Sequence, residues 1–265
     1  MNPNHKIDIQ DVSVTFGGGD GSAGVLALDG ITAYAAEREF VSLLGPSGCG
    51  KSTLLNLVAG FLQPTTGTVT VDGKDVRQPG PERAVVFQDA NLFPWLSVAK
   101  NVAFGPAVRG TQGEKELKER VAHYLDLVGL GKFADRLPLE LSGGMRQRVA
   151  LARVLINEPR VMLMDEPFGA LDAQTRMVMQ ELLLKIWESQ RMTVLFVTHD
   201  IDEALLLSDR IYTLSSHPGR IIDELAVPFA RPRTYELTME PEFSRLGRQL
   251  LGQLHDEAQR VATMA

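Results

Sequence analysis

The stretch "FVSLLGPSGCGKSTLLNLVAG", residues 40–60, constrains the fold of this chain more than any other segment. An apolar run ends at Gly45, small residues and glycines follow, and an apolar helical pattern starts at Lys51. Strand, tight glycine turn and helix in that order lead to α/β packing, because the helix must fold back along the sheet. Gly45, Pro46, Ser47, Gly48, Cys49, Gly50, Lys51, Ser52 and Thr53 carry the pattern G-x-x-x-x-G-K-[ST]. In such a loop the glycines let backbone N–H groups converge on the β- and γ-phosphates of a nucleotide. Lys51 adds positive charge there, and the Ser52 hydroxyl is placed to ligate Mg²⁺. Cys49 reads as a small loop filler; the alternative is a thiol whose pKa is lowered at the helix N-terminus.

Three more segments, "AVVF" (84–87), "VMLMD" (161–165) and "VLFVTH" (194–199), share the near-continuous apolar character of residues 40–45. Such runs suit a parallel sheet buried on both faces. The four strands end in Gly45, Gln88, Asp165-Glu166 and His199, so their polar groups gather at the edge where open α/β sheets bind ligands. Two adjacent acids at the end of a buried strand are costly unless they meet a cation or act on a proton. Asp165 is therefore expected beside Ser52 at the metal, and Glu166 is expected to polarise a water. The Gln88 amide can reach the metal or the water. His199 can bond a phosphate oxygen or orient the water.

Elsewhere the pattern changes. Ile7 and Ile9 alternate as on a strand, and Val12, Val14 and Phe16 continue after a one-residue slip that predicts a bulge. Residues 17–24 read as a flexible hairpin loop, and Thr68–Val71 as a strand ending in the turn pair Asp72-Gly73. These strands predict a small antiparallel layer on the α/β core. Residues 92–156 read as a mostly helical insertion, with Leu117, Val121, Leu125 and Val128 on one helical face. The last helix carries Phe243, Leu246, Leu250 and Leu254 as a stripe. The organisation expected is one domain over residues 1–220, followed by an extension at 221–265.

A net charge of −6 argues against a nucleic-acid partner. One cysteine leaves no intrachain disulfide and no cysteine-rich zinc site. The polar N-terminus and the lack of a long apolar run predict a cytoplasmic chain, held at any membrane by a partner. A second anion device appears far along: "LSGGMRQRVALAR" opens a helix on Ser142, Gly143 and Gly144.

Gly45–Thr53, Gln88, "LSGGMRQR", "VMLMDEP", "GALD" and His199, in that order, resemble the ATP-binding subunit of an ABC transporter over residues 7–216. The resemblance implies a P-loop, RecA-like core with an antiparallel β layer and an inserted helical subdomain. It also implies a head-to-tail dimer of two copies with two ATP molecules, and Mg²⁺, at the interface. It makes Phe16 the ring stacked on adenine, Gln88 the glutamine of the Q-loop, and Ser142-Gly143-Gly144 the signature that meets the partner's nucleotide. Asp165 and Glu166 become the Walker B pair; Asp172 falls in the D-loop and His199 in the H-loop. Phe16 replaces a frequent Tyr, and Met145 a usual Gln, without removing a ring or a phosphate donor.

"FQDANLFPWLSVAKNVAFG" (87–105), "DEPFGALDAQTR" (165–176) and "SSHPGRI" (215–221) resemble the nitrate, sulfonate and taurine importer branch, taurine and aliphatic-sulfonate import ATPases in particular. The resemblance implies permease subunits in the membrane, a solute-binding protein acting indirectly, and a peripheral position at the cytoplasmic face of the plasma membrane. Phe93-Pro94-Trp95 then lies by the groove for the permease; packing inside the helical insertion is the competing reading for Leu92, Phe93 and Trp95. An exporter or lipoprotein-release ATPase, or a soluble ATPase acting on DNA or ribosomes, are the alternative functions. The short span between residues 53 and 142 carries no sustained heptads, which weighs against the DNA-acting kind.

Overall fold

The computed structural model describes residues 5–17, 24–110 and 113–264. Two sheets organise it. The first is antiparallel and four-stranded, in the order β2-β1-β4-β5, with β1 His5–Phe16, β2 Val25–Ala36, β4 Thr66–Val71 and β5 Lys74–Asp75. The expected slip is present: pairing of β1 with β2 shifts between Ile9 and Val12, and Asp11 adopts φ 48°. It keeps Ile7, Ile9, Val12 and Val14 all on the buried face. Asp72 and Gly73 turn with φ 52° and 69°, which suits a tight hairpin between β4 and β5. Most of the predicted loop at 17–24 (residues 18–23) lies outside the described residues.

The second sheet has six strands in the order β10-β9-β3-β8-β7-β6. Strands β3 (Phe40–Leu44), β6 (Arg83–Val86), β7 (Val161–Asp165), β8 (Thr193–Thr198) and β9 (Arg210–Leu214) run parallel, and β10 (Ile221–Ala226) runs antiparallel to β9. The apolar runs have a direct cause. Phe40, Leu44, Met162, Met164, Val194 and Phe196 face one hydrophobic cluster. Val41, Leu43, Val161, Leu163, Leu195 and Val197 face another. Both faces of the sheet are dry, so alternation disappears from the sequence.

Two departures follow from position. Strand β6 is the sheet edge and only Val86 in it is buried, so it is not the buried strand that its apolar letters predict. Strand β9 is an additional parallel strand, buried over Ile211–Leu214, whose Tyr and Thr break up the apolar run.

Helix α1 (Lys51–Ala59) packs with the antiparallel layer in the second cluster. Between residues 92 and 156 the described chain forms helices α2 (Val98–Arg109), α3 (Glu114–Leu127) and α4 (Gly143–Leu155) with short 3₁₀ turns. Val121, Leu125 and Val128 are buried and Leu117 is half-buried, as their spacing predicts. Their cluster is continuous with the core under α5 (Ala173–Gln190) and α6 (Ile201–Leu207). Helix α7 (Pro241–Met264) buries Phe243, Leu246 and Leu250 against the same core, with Leu254 at its rim. No described helix is long and apolar enough to cross a membrane.

Candidate nucleotide site

The parallel strands β3, β8, β7 and β6 deliver their C-terminal ends to one edge of the sheet. The loop 45–50 leaves β3 there and feeds α1. Gly50 has φ 96°, and a Cβ on it would stand 2.5 Å from Leu28 Cδ2 and 3.1 Å from the Ala27 carbonyl. Only glycine lets the loop lie this tightly on β2. Lys51 is buried; its Nζ donates to the Gly45 and Pro46 carbonyls at 2.8 Å each, with Cys49 Sγ at 3.8 Å. The ammonium thus closes the loop on itself at the position where the phosphates are expected.

Cys49 is buried as a loop filler. Burial raises its thiol pKa, against the opposing effects of Lys51 and nearby N–H groups, so the alternative of a lowered, reactive thiol is overturned.

The acids sort themselves by contact. Ser52 Oγ donates to Asp165 Oδ1 at 2.9 Å. Burial raises the Asp165 carboxyl above the usual carboxylate value, helped by the neighbouring Glu166 charge and opposed by the Ser52 bond and Lys51. Glu166 sits at φ 42°, a strained backbone for a side chain of this size. Its N–H donates to the Val197 carbonyl at 3.0 Å and its carbonyl accepts from Gly169 at 3.1 Å, which hold the turn. That turn aims Glu166 away from Asp165 and brings Oε2 to 3.0 Å from Nδ1 of His199, whose side chain is 55% exposed.

Gln88 lies two residues beyond the end of β6 and is exposed. Its Nε2 is 3.3 Å from where a Cβ on Gly169 would stand, which places the amide next to the Glu166 turn. Side chains that the sequence reading leaves without a role hold this segment. Gln147 Nε2 donates to the Phe87 carbonyl at 3.2 Å, and Arg153 donates to the Ala90 and Asn91 carbonyls at 2.9 and 2.8 Å. Fully buried Asn101 ties down Phe93 through the N–H and the carbonyl of that residue. Its signal was available: a polar residue set among the buried positions Val98 and Val102. Leu92 packs on the core, Phe93 is half-buried, and Trp95 is 73% exposed, so core packing is overturned for Trp95.

The other expected residues stand apart. Phe16, 44% exposed, ends β1 two residues beyond Val14, whose partner Leu28 abuts Gly50. Ser142 caps α4 by accepting the Met145 N–H at 3.3 Å, which leaves its own proton free to donate. A Cβ on Gly143 would make only ordinary contacts at 3.9 Å, whereas a Cβ on Gly144 would stand 2.4 Å from Thr175 Cγ2. Among the described residues no hydrogen bond joins Ser142, Gly143 or Gly144 to loop 45–53. Asp172 caps α5 through the Thr175 N–H at 3.0 Å, a bond that lowers its carboxyl pKa.

A metal at this edge has a limited donor set. Among the described residues no group of three or more His, Cys, Asp or Glu could hold one. Ser52 and Asp165 offer a hydroxyl and a carboxylate short of counter-charge, which fits a divalent ion completed by phosphate oxygens.

The loop leaves β3 and the acids leave β7, with β8 between them; this is the arrangement of a P-loop nucleoside triphosphatase with a RecA-like core. Within that class the chain belongs to the ABC transporter family, whose profile matches residues 28–169. It is 49% identical to the taurine import ATP-binding protein of Ruegeria pomeroyi over 224 residues, 84% of this chain and 83% of that one. It is 45% identical to the nitrate import ATP-binding protein of Synechocystis sp. over 267 residues, 97% of this chain and 99% of that one. A dimeric bacterial ABC transporter cassette matches the fold with a TM-score of 0.74 at 34% identity, covering 84% of this chain and 100% of that one.

Proposed function

We propose that the chain is the ATP-hydrolysing subunit of an ABC importer for a small oxyanion or sulfonate, of the taurine, alkanesulfonate or nitrate kind. The observation that carries this reading is the pairing of Ser52 with Asp165 and of Glu166 with His199 at the mouth of one glycine loop. The substrate class rests on the names of the relatives.

In this reading Gly45–Thr53 wraps the ATP phosphates with its N–H groups and Lys51, and Phe16 stacks on adenine. Ser52, Asp165 and Gln88 would hold Mg²⁺, which when bound neutralises charge on the phosphate oxygens. Glu166 takes a proton from the water that attacks the γ-phosphorus, and the bond from that phosphorus to the β-bridging oxygen breaks. His199, donating from Nδ1 to the Glu166 carboxylate, keeps that base in place. Ser142 and the Gly144 N–H, with the positive end of α4, meet the nucleotide of a second, head-to-tail copy.

Residues 1–220 form the nucleotide-binding domain, with 92–156 as its helical insertion and 221–265 as an extension. Exposed Trp95 is the anchor for a permease subunit at the cytoplasmic membrane face. A solute-binding protein selects the cargo. The test is Glu166→Gln. ATP binding is retained, turnover falls by about 100-fold or more, and size exclusion with ATP gives a trapped dimer. Near-normal turnover would remove Glu166 as the base.

A further inference from the structure

Beside the Glu166–His199 contact lies a part-buried polar network to which the proposed mechanism gives no task, and its centre is Arg176. One turn into α5, Arg176 donates its backbone N–H to the Asp172 carbonyl at 2.9 Å. Its Nη2 donates to the Leu171 carbonyl at 3.1 Å, and its Nη1 lies 3.4 Å from Asp200 Oδ2. Its Nε, buried and without a hydrogen bond, faces Glu203 Oε1 at 3.9 Å. Glu203 is buried; Oε2 accepts from Thr198 Oγ1 at 2.7 Å and Oε1 accepts from Gln180 Nε2 at 3.1 Å. Asp200 Oδ1 accepts the N–H groups of Asp202 and Glu203 at the start of α6.

The partners lie at both ends of the Glu166–His199 contact. Phe168 accepts the Leu171 N–H and Glu166 accepts the Gly169 N–H, so the Leu171 carbonyl is the far end of the Glu166 turn. Thr198 and Asp200 flank His199 on either side. The Asp200 N–H also donates to Thr198 Oγ1 at 2.9 Å, which fixes the backbone that carries the imidazole.

We infer that Arg176 is a positioning residue for hydrolysis, tying the turn after Glu166 to Asp200 directly and to Thr198 through Glu203, on either side of His199. This rests on the assignment of Glu166 and His199 above. A planar guanidinium suits the task, since it serves a carbonyl and two carboxylates at fixed angles, and a lysine ammonium does not. The competing role is plain stabilisation through a part-buried ion pair, which would not separate turnover from binding.

The experiment measures ATPase kinetics of the full chain for Arg176→Met, Arg176→Lys, Glu166→Gln and Arg210→Met. Arg210 pairs with Glu39 on the far side of the core and controls for general loss of an ion pair. Arg176→Met is expected to lower kcat about tenfold with KM for ATP within about twofold, and Arg176→Lys to restore part of it. Arg210→Met is expected to lower Tm with kcat within about twofold of the parent. Should Arg176→Met be recovered insoluble, Arg176→Lys decides, with kcat expected about threefold down at unchanged KM. Unchanged kcat, or an equal fall in the Arg210 control, overturns the inference. A dead Glu166→Gln beside an unaffected Arg176→Met sinks only the positioning role, while an active Glu166→Gln sinks the underlying reading.

Discussion

The Glu166 carboxylate and Nδ1 of His199 stand 3.0 Å apart because the register of two neighbouring strands brings them there. Asp165 at the end of β7 pairs with Val197 on β8, so the next residue of β7 and the residue two further along β8 leave the sheet together. If His199 holds Glu166 through Nδ1, His199→Ala removes that contact and leaves the phosphate loop intact. Turnover is expected to fall about 100-fold, near 2.7 kcal/mol of barrier, with ATP affinity within a fewfold of the parent. Single-turnover kinetics beside a nucleotide-binding titration check this; a parallel loss of affinity would place His199 in binding.

Asp165 offers a stability test of opposite sign. Its raised carboxyl pKa means that, from the usual carboxylate value upward, the folded chain keeps a proton the unfolded chain has released. Stability therefore falls as pH rises through that window and stays reduced at neutral pH. Asp165→Asn keeps the acceptor for Ser52 and removes the buried charge. In EDTA at pH 7 it is expected to raise Tm by about 2 °C and to flatten the acid-side pH dependence of Tm. Turnover with Mg²⁺ and ATP is expected to be lost. Differential scanning at several pH values reads the first part, and a lower Tm than the parent would refute it.

The site is legible in the sequence where function and fold use the same residues. Gly45–Ser52 carries both the strand–helix turn and the phosphate-loop pattern, and the apolar runs before Asp165 and His199 declare their strands. Legibility ends where a side chain acts across the fold. Arg153 and Gln147 on α4 grip the backbone around Gln88, and their letters do not distinguish them from surface polar residues. The folded-back position of Lys51 depends on loop carbonyls that carry no sequence signal. Strand β9 escapes because its buried Tyr212 donates to the Tyr34 carbonyl, which lets a polar letter sit in the core.

Adjacent glycines in the signature segment predict different outcomes. A methyl at Gly143 meets only ordinary van der Waals contacts, with Arg146 Nη2 and Leu171 Cδ2 both at 3.9 Å. A methyl at Gly144 would stand 2.4 Å from Thr175 Cγ2, where α4 crosses the start of α5. Gly144→Ala is expected to cost about 1–3 kcal/mol, and Gly143→Ala less than about 0.5 kcal/mol. Thr175→Ser in the Gly144→Ala background removes the clashing methyl and is expected to recover most of the loss. Urea denaturation of the single and double variants measures the coupling; equal losses at both glycines would discard the close approach.

The C-terminal segment contributes through Arg233, whose side chain is 1% exposed. Helix α6 is seven residues long and ends in carbonyls that have no partner within the helix. Arg233 Nη1 donates to the carbonyls of Leu205, Leu206 and Ser208 at 3.3, 3.3 and 2.7 Å, and Nη2 donates to that of Phe229 at 2.8 Å. Burial works against the arginine charge, as does Arg231; Asp209 and Glu188 oppose both. Arg233→Met keeps much of the volume and leaves those carbonyls buried without donors. The expected loss is about 3 kcal/mol, which for a chain of this size corresponds to a Tm lowered by about 9 °C. Because α6 begins immediately after His199 and Asp200, the same variant is expected to expose residues 200–208 to hydrogen exchange before the phosphate loop opens. Peptide-resolved exchange separates that outcome from uniform destabilisation, in which α1 and α6 would lose protection together.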